Sequence, residues 1–231
     1  MAKYYSKLSQ VFYMGHQYLF HAYARFKLYS ITKTQNKNLT PEEDTRLATN
    51  VFLAALCIPI EAEDADGKSL LESFDPRDKK VQLAMLFGSP MYPSRSEQLS
   101  KIIARGVVNQ VDERIRPLYD VLERDFQPLK LMGRLQAILD IAADDQEYSV
   151  YANQLQRVAF VRLVQQLSRV YKTFRLDRLC TLAAAFDRQT VEKLVCEAVK
   201  DGIVAARINH QTQVWDRVLI VVVVVGRRGF W

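Results

Sequence analysis

The sequence predicts a mainly α chain: a helical-repeat arm, an α-solenoid of stacked helices, followed by a winged-helix domain with a small β-hairpin. Three observations carry this. Apolar residues recur at helical spacing from the N-terminus onward, and no β-type alternation is found before residue 203. Over residues 153–174, Phe160, Leu163, Val164, Leu167, Val170, Tyr171 and Phe174 fall on one arc of a 3.6-residue period, which predicts a long linking helix. Behind it, turn and cap residues divide the chain into helix, helix and hairpin. The organisation that follows is residues 1–152 for the arm, 153–217 for the linking helix and winged helix, and 218–231 for an atypical tail.

Residues 3–33 read as two helices parted near Gly15. Their aromatics, among them Phe12, Tyr18, Phe20, Tyr23, Phe26 and Tyr29, recur at the spacing of a helix-pair packing face. Thr40, Pro41, Glu42 and Glu43 form a capping box with proline at the first helical position, opening a helix that ends before Pro59. The acid-rich stretch 61–68 reads as a loop, a short helix is expected over 75–87, and 88–94 reads as a second loop. Helices resume over 97–105, 112–124 and 129–141, with Gly106 and Pro128 at the breaks. Stacked helices of this kind bury their faces only against neighbours, although no reliable repeat period emerges here.

In the winged-helix unit a second helix is expected over 176–184 and a third over 188–200. Asp187 is placed as N-cap, and Gly202 just past the end, where the left-handed conformation suits glycine. Strands are expected over 203–208 and 214–219, joined by the polar turn 209–212. A third helix of this class enters a DNA major groove in many proteins. Here Arg188, Lys193 and Lys200 are offset by Glu192, Glu197 and Asp201, so the positive potential that groove entry needs is absent from it.

The 231 residues suffice for a sizeable core, and the net charge of +6 is unevenly spread. Residues 1–37 contain Lys3, Lys7, Arg25, Lys27, Lys33 and Lys37 and no acid, the middle of the chain is acidic, and 151–231 is basic again. Such asymmetry suggests more than one kind of partner or an assembly containing RNA. Cys57, Cys180 and Cys196 lack paired spacing, which fits a reducing, cytoplasmic address and argues against structural zinc. No secretory leader is visible, and the apolar run 218–225 is far short of the about twenty residues that span a bilayer.

Chemistry-bearing motifs are missing. His16 and His21 are not at the spacing that puts two imidazoles on one helical face, the acids at 61, 63, 64 and 66 lack calcium-loop spacing, and no phosphate loop or nucleophile pattern occurs. The expectation is a non-enzymatic protein with no cofactor, no catalytic or metal residues, no small-molecule substrate and no membrane contact. One surface feature exceeds this background. Arg157, Arg162, Arg169, Lys172 and Arg175 fall within an arc of roughly 140° on the linking helix, opposite its apolar face, with no acid between them. Such a strip is either a solubilising face or a docking strip for RNA phosphate or an acidic helix.

Several strings in order resemble one family. YLFHAYARFKLYS at 18–30, NLTPEEDTRLAT at 38–49, LAALCIPI at 53–60, FQPLKL at 126–131 and LVQQLSRVYKTF at 163–174 are similar to the PCI region of the largest subunit of eukaryotic translation initiation factor 3. A helical arm running into a winged helix is the PCI architecture, found also in proteasome-lid and signalosome subunits. The resemblance covers roughly residues 17–215. It implies a longer parent protein with a charged C-terminal extension, and the valine-rich end, 218–225 followed by GRRGFW, departs from it.

The resemblance implies a scaffold in translation initiation, joined through its winged-helix sheet to other PCI subunits, especially subunit c, and attached to the small ribosomal subunit. Sheet-edge addition gives that association a physical route. Ile203, Val204, Arg207, Ile208, Val214 and Trp215 are the candidate interface residues, with Trp215 as the partner-facing anchor. Ile203, Ile208 and Val214 equally well close the wing onto its own helices. The alternatives are a direct RNA-binding protein and a PCI subunit of a proteasome-lid or signalosome-type complex.

Overall fold

In a computed structural model the described residues are 1–36, 38–61, 79–86, 94–124, 127–209 and 214–217; for 79–81, 86, 208–209 and 214–217 the description is of the backbone. The chain is mainly helical. Helix α1 (Ala2–Met14) and α2 (Tyr18–Gln35) form an antiparallel pair, and α3 (Pro41–Leu56) packs on α2. The α1–α2 turn closes with the two hydrogen bonds of a Schellman motif, Gln17 N–H to Phe12 C=O at 2.9 Å and His16 N–H to Tyr13 C=O at 3.1 Å. The left-handed residue is His16, at φ 57°, and Gly15 beside it has φ −82°.

The predicted capping box is present: Glu43 N–H donates to Thr40 Oγ1 and Thr40 N–H donates to Glu43 Oε2, each at 3.3 Å. Residues 19–24 of α2 and 48–56 of α3 are buried on every side, because each helix lies between neighbours in the stack. Helix α4 (Lys79–Leu86) falls within the stretch expected to be helical; residues 75–78 and 87 of that expectation lie outside the described residues, as does the acidic loop beyond Glu61. Helix α5 (Arg95–Ala104) starts earlier than expected, because the Ser94 hydroxyl accepts from Glu97 N–H at 3.2 Å and serves as the cap.

Residues 112–124, expected as one helix, are broken. A short 3₁₀ turn (Val107–Gln110) precedes them, and within them a single helical turn α6 (Pro117–Tyr119) runs into a π-type turn over Asp120–Arg124. Pro117 lacks the N–H that a continuous helix through it would use. Helix α7 (Leu131–Ala142) and the short α8 (Gln146–Ser149), which the pattern does not show, lead into the linking helix α9 (Ala152–Val170).

The linking helix is shorter than its apolar period suggests. Tyr171 is extended, at φ −107° and ψ 136°, and Thr173–Arg175 form a strand, β1. Beyond it come α10 (Leu176–Leu182), α11 (Arg188–Lys200), β2 (Ala206–Asn209) and β3 (Val214–Arg217). Helix α11 ends in a second Schellman motif, with Ile203 N–H to Ala198 C=O at 3.0 Å and Gly202 N–H to Val199 C=O at 3.1 Å, and Gly202 takes φ 73° as its position requires. The sheet order is β1-β3-β2, antiparallel throughout, so β3 is central and β1 and β2 are its outer strands. One core runs through arm and winged helix, from Phe52 and Leu56 through Phe160 and Leu163 to Leu179, Val191 and Val195.

Candidate assembly surface

Of the candidate interface residues, Arg207, Ile208, Val214 and Trp215 lie on the winged-helix sheet, whereas Ile203 and Val204, expected in the first strand of the hairpin, precede β2 because the turn that ends α11 runs through them. Val204 is buried in the core, Ile203 is half-buried against it, and Arg207 is exposed on β2. The register pairs Thr173 with Asp216 and Arg207, Phe174 with Trp215 and Ile208, and Arg175 with Val214 and Asn209 across β1, β3 and β2. Position 215 thus shares a sheet face with Phe174, whose ring packs on the core. Val214 and Trp215 lie on the central strand, whose backbone already pairs on both sides, so strand addition at this sheet falls to β1 or β2. The expectation that places Trp215 as anchor misses β1, the strand that encloses it.

The basic strip is not one helical face. Arg157 Nη2 lies 2.8 Å from Glu197 Oε2 of α11, and Arg162 Nη2 lies 3.2 Å from Glu123 Oε2. Arg169 is exposed in the last turn of α9. Lys172 follows the end of α9, and Arg175 is in β1, 3.2 Å from Asp177. The acids come from other elements, which spacing along a single helix cannot reveal.

Glu123 also lies 2.7 Å from Arg95 Nη2, so one carboxylate serves two guanidiniums, all three largely shielded from solvent. Arg95 Nε donates to the carbonyl of Ile58 at 3.0 Å. A cleft of about 380 Å³ beside them is lined by Ser94, Ser96, Arg95, Glu123, Arg162 and Gln165 among others. This group ties the start of α5 and the turn at residues 120–124 to the linking helix.

A second polar group that periodicity concealed joins the N-terminal pair to α9. His21 is buried. Its Nδ1 lies 2.7 Å from the Ser9 carbonyl, which only accepts, so Nδ1 carries the proton and donates; Nε2 then accepts from the Tyr151 hydroxyl at 3.0 Å. Burial holds the imidazole pKa down, to about 4. The Tyr13 hydroxyl donates to the Val150 carbonyl at 2.6 Å, and burial raises its pKa to about 12. Both nitrogens of His21 are engaged within the protein, which leaves none for a metal ion.

Residues 1–130 match the family described as "eIF3a, PCI domain, TPR-like region", and residues 134–215 match the PCI domain. The chain belongs to the eIF3a PCI-domain family. The A subunit of eukaryotic translation initiation factor 3 from Arabidopsis thaliana is 34% identical over 227 residues, covering 90% of this chain and 23% of that protein. The proteins of the same name from Drosophila mojavensis and Drosophila melanogaster are 38% and 36% identical, each covering 91% of this chain and 19% of its own length. The PCI region thus spans about a fifth of the length of these relatives. No helix among its described residues is long and apolar enough to cross a membrane.

Proposed function

We propose that this chain is the assembly region of a translation initiation factor 3 subunit, which joins a second PCI subunit, subunit c, through an outer strand of its winged-helix sheet and helps place the factor on the small ribosomal subunit. It works in the cytoplasm and catalyses no reaction. The supporting observation is the sheet order: with β3 enclosed, the outer backbone edges of β1 and β2 face no other strand among the described residues. Backbone hydrogen bonds along such an edge give affinity, and alternate side chains give specificity. A reading as a direct RNA binder loses the continuous basic face that favoured it, since Arg157 and Arg162 are held in ion pairs.

The test is co-expression of this chain with the PCI region of subunit c, followed by amide hydrogen exchange on the purified complex. A one-to-one complex with slowed exchange in residues 173–175 or 206–209 supports the reading. No complex, or a complex with both edges exchanging as in the free chain, overturns it.

A further inference from the structure

Resting on the sheet-edge reading above, we propose that the β1 edge selects a partner segment that is extended and alternates acidic with apolar residues. Strand alternation gives β1 two unlike sides. Thr173 and Arg175 are exposed on one side, and Phe174 packs on the core from the other. Lys172 immediately precedes the strand and Arg178 lies in the first turn of α10 immediately after it. Both are exposed, and neither has an ion pair among the described residues. Arg175 shares Asp177, the one acid within 170–178, with Arg188, and the register sets Asp216 of β3 between Thr173 and Arg207 on the inner side of β1.

The apolar side is open as well. The Tyr171 ring lies against Phe174 at a tilt of 56°, with ring centroids 5.5 Å apart, yet Tyr171 remains 44% exposed, and Val170 before it is 72% exposed. A strand laid beside β1 places every second side chain on the side of Phe174, against which the Tyr171 ring packs, and the others on the side of Thr173 and Arg175, with Lys172 and Arg178 near the two ends of the edge. Apolar residues suit the first set and carboxylates the second. The other outer strand, β2, offers one described exposed cation, Arg207. Nucleic acid is the less favoured occupant, because a phosphate chain makes no use of an open strand edge and Arg175 is already shared with a carboxylate.

The probes are capped octapeptides, (Glu-Val)4 and (Lys-Val)4, and an eight-residue uridine RNA, titrated into the full chain by fluorescence anisotropy, with amide exchange read at residues 173–175. The variant is Lys172→Glu with Arg178→Glu, two exposed positions, and circular dichroism checks that it keeps the wild-type fold before it is titrated. We expect (Glu-Val)4 to bind at least fivefold tighter than (Lys-Val)4, to slow exchange at β1, and to lose that preference in the double variant. Equal binding of the two peptides with β1 protected overturns acid selection and leaves the sheet-edge assembly intact. Binding of the RNA alone, or of neither peptide, also overturns the proposal. The assembly reading fails separately, by an unprotected edge in the complex with subunit c.

Discussion

Glu123 lies 3.2 Å from Arg162 and 2.7 Å from Arg95, at 14% side-chain exposure against 21% and 11%. A single carboxylate therefore neutralises two shielded guanidiniums contributed by the arm and the linking helix. Removing it takes a counter-charge from both guanidiniums where water solvates them poorly, and breaking a buried pair typically costs about 3–5 kcal/mol. Partial exposure lowers this, so Glu123→Gln should destabilise the chain by about 2 kcal/mol in urea denaturation. A loss below about 0.5 kcal/mol would mean the group is solvated like a surface pair.

Glu197 provides the contrast. Its ion pair with Arg157 spans α11 and α9 at 2.8 Å, but with 40% and 49% side-chain exposure. Such pairs contribute about 0–1 kcal/mol and are screened by salt. Glu197→Gln should shift stability by less than about 1 kcal/mol, and the difference from wild type should vanish in 1 M salt. A loss as large as that for Glu123→Gln would show that the joint between the linking helix and the winged helix depends on this contact.

The buried His21 gives stability a pH dependence. Its folded pKa, about 4, lies below the ordinary 6.5, so below pH 6.5 the unfolded chain binds a proton that the native imidazole refuses. Its contribution is complete above pH 6.5 and is lost as pH falls toward 4, amounting to about 3 kcal/mol over that window at 1.36 kcal/mol per unit. Arg25 nearby acts in the same direction, and the Ser9 hydrogen bond opposes it. Urea denaturation of wild type and His21→Asn between pH 7 and pH 4.5 measures this. The wild-type curve should fall more steeply, and parallel curves would show that the imidazole protonates freely in the native state.

Tyr151→Phe probes the other half of that contact. It removes the donor to His21 Nε2 and leaves a buried acceptor unpaired, at a cost of about 1–3 kcal/mol. Thermal unfolding should register it, whereas an unchanged midpoint would mean that water replaces the hydroxyl.

What the sequence disclosed and what it concealed divides by range of interaction. Thr40 with Glu43, and Gly202 after α11, act through neighbours three or four residues away, so the α3 and α11 boundaries were legible. Thr173–Arg175 adopts a strand because it pairs with residues 214–216, and three residues have too little alternation to announce that. Their helical spacing with Phe160 and Leu163 instead extended the predicted helix. The partners of Arg157 and Arg162 were hidden for the same reason, since Glu197 and Glu123 are distant in sequence. The π-type turn at Asp120–Arg124, which carries Glu123 to its two arginines, has no sequence signature, so that polar joint was not anticipated.

His16 shows a local rule satisfied by an unexpected residue. Glycine is the usual occupant of the left-handed position after a helix, and Gly15 is adjacent, yet His16 holds φ 57° while both Schellman hydrogen bonds form around it. Its imidazole lies 3.1 Å from the Tyr18 hydroxyl, an exposed contact that returns little of the steric cost of about 1 kcal/mol for a side chain in this conformation. Replacing it relieves that strain while giving the unfolded chain more freedom, so the net gain is smaller than the strain itself. His16→Gly should raise stability by about 0.5 kcal/mol, and His16→Ala, which keeps the Cβ and loses the contact, should lower it. The two melting curves decide between backbone and side chain. If glycine also destabilises, the His16–Tyr18 contact outweighs the strain and fixes the α1–α2 turn.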